Sequence, residues 1–542
     1  MRTIRWTHTP PDGIVCSSDA VGEVTMVKHV SSIVAGARHG STSTLRTNVN
    51  PARLEEVVAE VDLGDADTLV AACEAARAAQ LDWAATPAPR RGRVVQQIGR
   101  IVEANKEELA RLVTDEIGKP YAEALGEVQE IIDTCDFFLG EGRRPYGQTV
   151  PSEMRDKQLF TYRMPVGVAA IITAGNFPVA VPSWYLVPAL LCGNTVVWKP
   201  AEYAAAAGHA LFELFSHGGL PDGVLNLVLA EGKDTFAGLE RALDTGLVDK
   251  VGFTGSTEVG REIGALCGRH LQQPCLELGG KNPMVVLADA DMDLAVEGAL
   301  FSGFGTAGQR CTSLGTAIVA SEAHDQFVER FTAATARAVI GDPREDVLYG
   351  PMLDARFAER FEGWLDLIRD HHEVSGSTGV GRITADNPRE GFLGDADGGI
   401  FYHPTIVTGV RPDDELYRFE TFGPLVGVMP CDGLDEAIEL SNGHGYGLSS
   451  AIYTTDPRSV FRFRESVSAG MLSVNNSTSG AEAHLPFGGN GRSGNGSRLS
   501  GQWVLDQFTR WQSVNWDYAG KLQKAQMDIE DVPADLGFRL ER

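Results

Sequence analysis

The sequence lacks the features that mark several common classes of protein. Its eight cysteines include no C-x-x-C pair, so they suggest neither a zinc ribbon nor a disulfide framework. Basic residues are also scarce, since 47 lysines and arginines stand against 73 acidic residues. The resulting formal charge of −26 has the wrong sign for binding nucleic acid or an anionic membrane. We therefore expect no nucleic-acid partner, no membrane partner and no bound metal.

Apolar runs that would direct the chain to a membrane are missing as well. Pro10, Pro11 and Asp12 stand where a secretory signal would have its apolar region. The stretch 165–198 has no charged residue and is long enough to span a bilayer, but its prolines and asparagines would disrupt a spanning helix. A buried strand, a loop and a helix explain this stretch better. Together with the scattered cysteines, which fit a reducing compartment, this predicts a cytoplasmic protein.

The order of helical and strand patterns indicates an α/β protein. Apolar residues recur at helical spacing from Asp65 to about Arg144, which predicts three or four amphipathic helices. From Val166 onward, short apolar strands alternate with helical segments, as in a parallel sheet that carries helices on both faces. The predicted strands of this sheet are Val168–Thr173, Thr195–Lys199, Val224–Leu229, Lys250–Thr254 and Cys275–Leu278.

The same patterns suggest a division into domains. A Rossmann-like parallel-sheet domain is predicted over 46–143 and 166–279, followed by a second α/β domain over 280–490. A small β element is predicted from a hairpin at 144–165 and a late strand at 505–520. The remaining segments are an N-terminal extension over residues 1–45, a glycine-rich surface insertion over residues 375–399 and a polar C-terminal tail over residues 521–542.

Three glycine-rich segments are candidates for binding phosphate. Segments 303–308 and 489–494 match the pattern G-x-G-x-x-G, but neither has a strand before it and a helix after it, so both are false matches. The predicted strand Lys250–Thr254 has the better context, because it ends at Gly255 and Ser256 where a helix begins. Free backbone N–H groups there could bind a phosphate. An ordinary strand-to-helix turn is the alternative, and spacing does not decide between the two.

Three side chains could carry chemistry. Cys311 is the best candidate nucleophile, because the neighbouring Arg310 could stabilise a thiolate, although an inert buried cysteine is the alternative. Glu277 stands in an apolar strand, where burial would raise its pKa toward that of a general base; an ion pair with Lys281 is the alternative. Asn176 ends the first predicted strand and could stabilise an oxyanion, or it could be a simple turn residue.

Seven motifs in a fixed order carry a family resemblance. The segments GNFP, WKPAE, FTGSTEVG, LELGGKNP, GTAGQRCT, FETFGP and PFGG follow one another within residues 46–525, and this arrangement resembles the aldehyde dehydrogenase superfamily. The GAE segment near the C-terminus and the arginine before the cysteine resemble the antiquitin-type and 2-oxoglutarate-semialdehyde branches. Those branches favour short aldehydes that bear a carboxylate. Gly175 and Asn490 depart from the more frequent pattern, which leaves the shape of the substrate pocket open.

The resemblance implies roles for these residues. Cys311 would be the nucleophile, Glu277 the general base, and Asn176 the oxyanion donor together with the cysteine's own N–H. The first domain would bind NAD, the second would be catalytic, and the small β element would pair subunits into a homodimer or homotetramer. The residues implied at the cofactor are Lys199, Glu202, Gly255, Ser256, Glu420 and Phe422, and those implied at the substrate are Arg310 and Phe487.

We therefore expect NAD-dependent oxidation of an aldehyde to a carboxylic acid, by way of a cysteine thiohemiacetal and a thioester that water hydrolyses. NADP is a possible but less favoured cofactor, because Glu202 would repel a 2′-phosphate. The substrate is expected to be a short carboxylated semialdehyde, with a neutral aldehyde as the alternative. A CoA-acylating enzyme and a non-catalytic binding protein are further alternatives. Two roles of Arg310 stay open: it binds a substrate carboxylate, or it tunes the Cys311 thiolate or pairs with a nearby acid.

Overall fold

The structure is a computed structural model that describes residues 27–40, 44–375, 379–529 and 531–541. Residues 1–26, which form most of the predicted N-terminal extension, lie outside the described residues. The chain forms two large sheets covered by helices and a separate three-stranded sheet. A mixed α/β architecture built on parallel sheets was predicted, and it is confirmed.

The first half of the chain alternates strands and helices around one large sheet. Its first elements are β1 (Lys28–Val34), β2 (Ala37–His39), β3 (Leu45–Asn50), β4 (Arg53–Asp62), α1 (Ala66–Ala85), α2 (Ala88–Ala104), α3 (Lys106–Ile117) and α4 (Tyr121–Glu141). They are followed by β5 (Thr149–Val150), β6 (Lys157–Pro165), β7 (Val168–Ile172), α5 (Ala180–Leu191), β8 (Thr195–Lys199), α6 (Ala205–Ser216), β9 (Leu225–Leu227), α7 (Gly232–Asp244), β10 (Lys250–Thr254), α8 (Thr257–Arg269) and β11 (Cys275–Glu277).

All five predicted strands are present as neighbours on one side of this sheet, whose order is β11-β10-β7-β8-β9-β1-β4-β3, so that β11 is an edge strand. Strands β7 to β11 run parallel to one another. β1 pairs with both β9 and β4, although its sequence belongs to the segment predicted as an extension. The weak periodicity of that segment gave no sign of a strand, because pairing with neighbours on both sides is decided by the fold as a whole.

Local sequence explains where several helices begin and end. α1 starts at Asp65, which forms a capping box with Thr68, and α3 ends at Gly118 in the left-handed conformation at φ 71°. The uncharged stretch 165–198 forms β7, the wholly buried helix α5 and most of β8. Among the described residues, no helix combines the length and the apolar character that a membrane crossing needs.

The second half builds another sheet, in the order β15-β17-β18-β13-β12-β20-β21. Its strands are parallel except for β15. The elements are β12 (Asn282–Val286), α9 (Met292–Phe304), β13 (Leu314–Ala320), α10 (Ser321–Arg337), β14 (Ile340–Gly341), α11 (Ala355–Leu365), β15 (Glu373–Ser375), β16 (Phe392–Leu393), β17 (Thr405–Thr408), α12 (Glu415–Arg418), β18 (Leu425–Cys431), α13 (Leu434–Gly443), β19 (Tyr446–Gly447), β20 (Ser449–Tyr453), α14 (Pro457–Ser466), β21 (Met471–Val474), β22 (Asn490–Gly491), α15 (Leu505–Phe508) and β23 (Thr509–Asp517).

The predicted hairpin and late strand come together in the third sheet. β5 and β6 are antiparallel, and β23 pairs along the whole length of β6, so the order is β23-β6-β5. Nearly every residue of β23 is exposed, and Trp511 and Trp516 are exposed by 54% and 60%. The sheet therefore presents apolar side chains to its surroundings.

Candidate active site

Two cavities meet at Cys311, which lines both of them. Cavity A, of about 620 Å³, lies at the carboxyl ends of β10 and β11. Cavity B, of about 260 Å³, lies between α4, α5 and the segment 479–487. The lining of cavity A includes Asn176, Tyr203, Thr254, Gly255, Ser256, Phe357, Arg360, Glu420 and Phe422. The lining of cavity B includes Glu123, Glu127, Glu130, Phe177, Trp184, Phe301, Arg310 and Phe487.

The loop before the cysteine has an unusual backbone. Thr306, Ala307 and Gly308 lie in the left-handed region, at φ 51°, 53° and 69°. A β-branched residue rarely adopts this conformation, so surrounding contacts must hold it there. The Thr306 hydroxyl donates to Glu123 at 2.5 Å, and the Gln309 amide donates to the Thr306 carbonyl at 3.1 Å. These contacts hold the backbone of the loop that leads to Cys311.

Two asparagine amides brace the backbone around Cys311. Asn176 Nδ2 donates to the Gln309 carbonyl at 2.9 Å, and Asn176 shares the wall of cavity A with the cysteine. Asn282 Nδ2 donates to the carbonyls of Cys311 and Ser313, each at 2.8 Å. Sequence reasoning selected Asn176 and missed Asn282. A polar side chain at the start of a buried strand was the available signal for Asn282.

The surroundings of Cys311 disfavour ionisation of its thiol. Burial raises its pKa to about 12, and the carboxylates Glu420 and Glu277 act in the same direction. The adjacent Arg310 does not offset this effect. Its guanidinium pairs with Glu123 at 2.5 Å and lies 4.5 Å from the centre of the Phe301 ring. Of the roles left open for Arg310, the structure shows the pairing with a nearby acid, here Glu123.

Glu277 is buried at the end of β11, with 3% of its surface exposed. Its carboxylate accepts a hydrogen bond from the Gly489 N–H at 3.2 Å and another from the Ser497 hydroxyl at 3.4 Å. Burial raises the pKa of Glu277 well above its usual value. The alternative ion pair with Lys281 does not form among the described residues, where Lys281 Nζ has no hydrogen-bond partner. A raised pKa and limited bonding suit a group that exchanges protons.

The strand-to-helix turn at Gly255 opens into cavity A. Ser256 is the N-cap of α8, where its hydroxyl accepts from the Val259 N–H at 3.3 Å. Helix α8 thus directs its N-terminal amides and the positive end of its dipole toward the cavity. Across the cavity, Glu420 accepts from the Gly280 N–H at 3.1 Å, and burial raises its pKa to about 7. Phe422, at φ 46°, lines the same cavity.

Lys199 and Glu202 form an ion pair of 3.2 Å, and the residue that follows them, Tyr203, lines cavity A. Burial would raise the pKa of Glu202, but Lys199 and Arg356 outweigh it and lower the pKa to about 2. Arg356 binds the other Glu202 oxygen at 2.9 Å. Sequence reasoning missed Arg356, because it lies in α11, far along the chain.

Aromatic side chains dominate cavity B. Phe487 contacts Trp184 with ring centres 4.7 Å apart, and Phe177 and Phe301 complete the apolar wall. Only Phe487 was selected from the sequence. The other three lie in helices or turns where a large apolar residue indicates an ordinary core position. Their contribution becomes visible only when α5 and α9 pack around the cysteine.

One group among the described residues has the geometry of a metal site: His371, His372 and Asp414. Both histidines approach Asp414 Oδ2 through Nε2, at 3.2 and 3.0 Å. His372 Nδ1 accepts from the Arg369 N–H at 2.9 Å, so Nε2 carries the proton and donates to Asp414. The group is therefore a hydrogen-bonded clasp between the loop after α11 and the start of α12.

Comparison with known proteins agrees with this geometry. The family description "Aldehyde dehydrogenase family" matches residues 38–514. The chain belongs to the aldehyde dehydrogenase family. The resemblance inferred from seven short motifs is thereby confirmed, and the match extends over both large sheets, apart from β1 and the start of β2, and over most of the third sheet.

Two relatives in this family are named as semialdehyde dehydrogenases. The chain is 36% identical to an alpha-ketoglutarate semialdehyde dehydrogenase of Haloferax volcanii, over 86% of this chain and 95% of the relative. It is 35% identical to an alpha-aminoadipic semialdehyde dehydrogenase of Bos taurus, over 90% of this chain and 88% of the relative. A crystal structure of an NAD-dependent aldehyde dehydrogenase from Sinorhizobium meliloti superposes with a TM-score of 0.86 at 30% identity, covering 92% of this chain and 96% of the other.

Proposed function

We propose that this aldehyde dehydrogenase oxidises a short aldehyde with a terminal carboxylate to the corresponding dicarboxylic acid, with NAD as the hydride acceptor. The observation that carries the proposal is the position of Cys311 between two unlike cavities. One has the strand ends and helix N-terminus that suit a dinucleotide, and the other has the buried cation Arg310.

Cavity A fits a dinucleotide by its chemistry. The N-terminal amides of α8 suit a pyrophosphate, and a side chain at Gly279 would collide with Glu420, so the backbone there stays clear. NAD, when bound, supplies the acceptor for the hydride. The residues assigned to hold it are Lys199 and Glu202 for the adenosine ribose, Gly255 and Ser256 for the pyrophosphate, and Glu420 and Phe422 for the nicotinamide ribose and ring.

In the mechanism we propose, the Cys311 thiol gives its proton to a solvent water molecule, and the sulfur then attacks the aldehyde carbon. The oxyanion that develops accepts hydrogen bonds from Asn176 Nδ2 and from the Cys311 backbone N–H. Loss of hydride leaves a thioester on the sulfur. Glu277 then takes a proton from a water molecule, whose oxygen attacks the thioester and releases the acid. A carboxylate in this position favours hydrolysis over transfer to coenzyme A and makes a purely binding role implausible.

Arg310 is the group that we assign to the substrate carboxylate. Its guanidinium uses Nη2 for Glu123 and Nε for Thr306, while Nη1 has no hydrogen-bond partner among the described residues. A guanidinium can bind two carboxylates at once. The part of cavity B that Phe177 and Phe487 line would hold the aliphatic chain of the substrate.

A neutral aromatic aldehyde is the second candidate substrate, and a specific observation favours it. Glu123 already neutralises Arg310, and Phe177, Trp184 and Phe301 offer ring faces along the cavity. An uncharged aromatic ring would match such walls without meeting an unpaired charge.

Paired substrates separate the two candidates. We expect R310A to lower kcat/KM for a five-carbon semialdehyde by an amount that corresponds to about 2–4 kcal/mol of transition-state stabilisation, the contribution of a charged hydrogen bond. The value of kcat/KM for pentanal should fall far less. E123Q, which frees Arg310 from its charged partner, should raise kcat/KM for the semialdehyde relative to kcat/KM for pentanal. Equal losses for both substrates in R310A, or a wild-type preference for benzaldehyde over the semialdehyde, would favour the second candidate.

Assembly and location complete the proposal. We assign 46–143 and 166–279 to cofactor binding and 280–490 to catalysis, and the sheet of β5, β6 and β23 to pairing of subunits in a homodimer or homotetramer. The free edge and exposed tryptophans of β23 support this assignment. A monomeric mass in light scattering at micromolar concentration would contradict it. The seven cysteines that the structure describes are all free, which supports a reducing compartment such as the cytoplasm.

A further inference from the structure

The segment that follows Phe487 wraps around the edge strand of the large sheet. The Leu278 N–H donates to the Ser493 carbonyl at 2.9 Å, and Glu277 forms a β-bridge with Gly494. Both groups that bond the Glu277 carboxylate, the Gly489 N–H and the Ser497 hydroxyl, belong to this segment. The position of the carboxylate therefore depends on the shape of a loop that belongs to another part of the chain.

One side chain ties the two ends of this loop together. Arg498 donates through Nη1 to the carbonyls of Gly489 at 3.2 Å and Ser497 at 2.8 Å, and through Nη2 to Asn490 Oδ1 at 2.8 Å. The planar guanidinium thus spans the residues on either side of Glu277 with fixed geometry. A lysine at this position could retain the charge but not all three bonds.

We propose that Arg498 is a positioning residue for Glu277: it holds the loop that orients the carboxylate and supplies the positive charge that favours its ionised form. The inference rests on the proposed role of Glu277 as the base that hydrolyses the thioester. Arg498 would not touch the substrate, but it would set both the orientation and the proton affinity of the Glu277 carboxylate.

Charge considerations support the second half of this proposal. Burial raises the pKa of Glu277, and Arg498 is the nearby cation that opposes this rise. The other titratable groups near Glu277 are Tyr185, Cys275 and Cys311, and all three have raised pKa values and stay neutral near pH 7. Removing the guanidinium charge would therefore raise the pKa of Glu277 further, and the ionised fraction at neutral pH would fall.

The test follows decay of the acyl-enzyme without any cofactor. The enzyme is acylated with p-nitrophenyl acetate, freed of reagent, and monitored by intact-protein mass from pH 5.5 to 9.5. We expect the wild-type decay rate to rise to a plateau as Glu277 ionises. In R498Q the midpoint of this rise should move upward by about one pH unit, so that decay below the midpoint slows about tenfold. In R498K the midpoint should stay near that of the wild type while the plateau falls.

Further variants separate a failure of this proposal from a failure of the proposed function. N490A, which keeps the charge and removes one anchor, should lower the plateau without moving the midpoint, and it serves if R498Q does not fold. R492Q removes an arginine of the same turn that bonds the Arg418 and His444 carbonyls instead, so its midpoint should not move. An unmoved midpoint in R498Q, or equal shifts in R498Q and R498K, would overturn the inference. Wild-type decay in E277Q would instead overturn the proposed base, and acylation of C311A would overturn the proposed nucleophile.

Discussion

Cavities A and B meet at the same sulfur atom but are built in different ways. Cavity A includes one continuous run, residues 254–259 at the end of β10 and the start of α8, together with residues from distant segments such as Phe357 and Glu420. Cavity B draws on α4, α5, α9, residues 310–312 and the segment 479–487, which lie up to several hundred residues apart, and its described lining includes no such unit of strand, turn and helix. A site made of continuous segments leaves motifs in the sequence, whereas a site made of scattered side chains does not.

The largest effect should come from the residue that both cavities share. We expect C311A to lower the rate of aldehyde oxidation at least about a thousandfold, because the covalent step loses its nucleophile. NAD affinity, measured by titration calorimetry, should change little, since the proposed cofactor contacts lie on other segments. C431A, in β18 of the second sheet, is the control and should retain activity. Residual turnover above a few per cent in C311A would contradict the assignment of Cys311 as the nucleophile.

Substitution of Glu277 tests whether hydride loss and hydrolysis of the thioester depend on separate groups. We expect E277Q to slow steady-state turnover by about a hundredfold or more, the range of general base catalysis, while a single burst of NADH survives. The burst reports attack and hydride loss, and the steady state reports hydrolysis. Stopped-flow absorbance at 340 nm measures both. Loss of the burst as well would place Glu277 in activation of the thiol.

A substitution in the surroundings of cavity A should change only the preference of the enzyme between NAD and NADP. Glu202 is ionised at neutral pH, so it should repel a 2′-phosphate and make NAD the better cofactor. We expect E202Q to reduce the ratio of kcat/KM for NAD over NADP by about tenfold. R356Q removes the cation beside Glu202 and should increase the same ratio. A wild-type enzyme that uses NADP as well as NAD would show that Lys199 and Arg356 dominate.

A change in cavity B should affect stability and its dependence on pH. Burial, with help from Glu127, raises the pKa of Glu130 to about 8, and one of its oxygens is buried with no hydrogen-bond partner in the described part of the chain. An acid whose pKa is higher in the folded state than in the unfolded state costs stability as the pH rises between the two values. We expect E130Q to stabilise the protein by about 1–2 kcal/mol at pH 9 and hardly at all at pH 4.

Thermal unfolding at the two pH values measures this difference. D136N, an exposed acid on the same helix, is the matched control and should change stability by less than about 0.5 kcal/mol at either pH. A benefit of E130Q that is equal at both pH values would mean that packing, rather than ionisation, decides the effect.

The sequence by itself determined the features that depend on short, continuous segments. Alternating apolar strands and helices established the central parallel sheet, and the order of motifs brought Cys311, Glu277 and Asn176 forward as one candidate site. These features are local, because a strand, its turn and the following helix N-terminus are consecutive residues whose backbone geometry is set by their own sequence.

Only the tertiary structure decided which side chains meet. It placed β1 inside the sheet, turned Arg310 from its neighbour Cys311 toward Glu123, and brought Arg356 to Glu202 and Arg498 to the loop that holds Glu277. A buried charge must find a partner because burial without one is costly, yet any of several carboxylates or carbonyls could serve. Packing selects the partner from distant parts of the chain, so the selection leaves no mark in the local sequence.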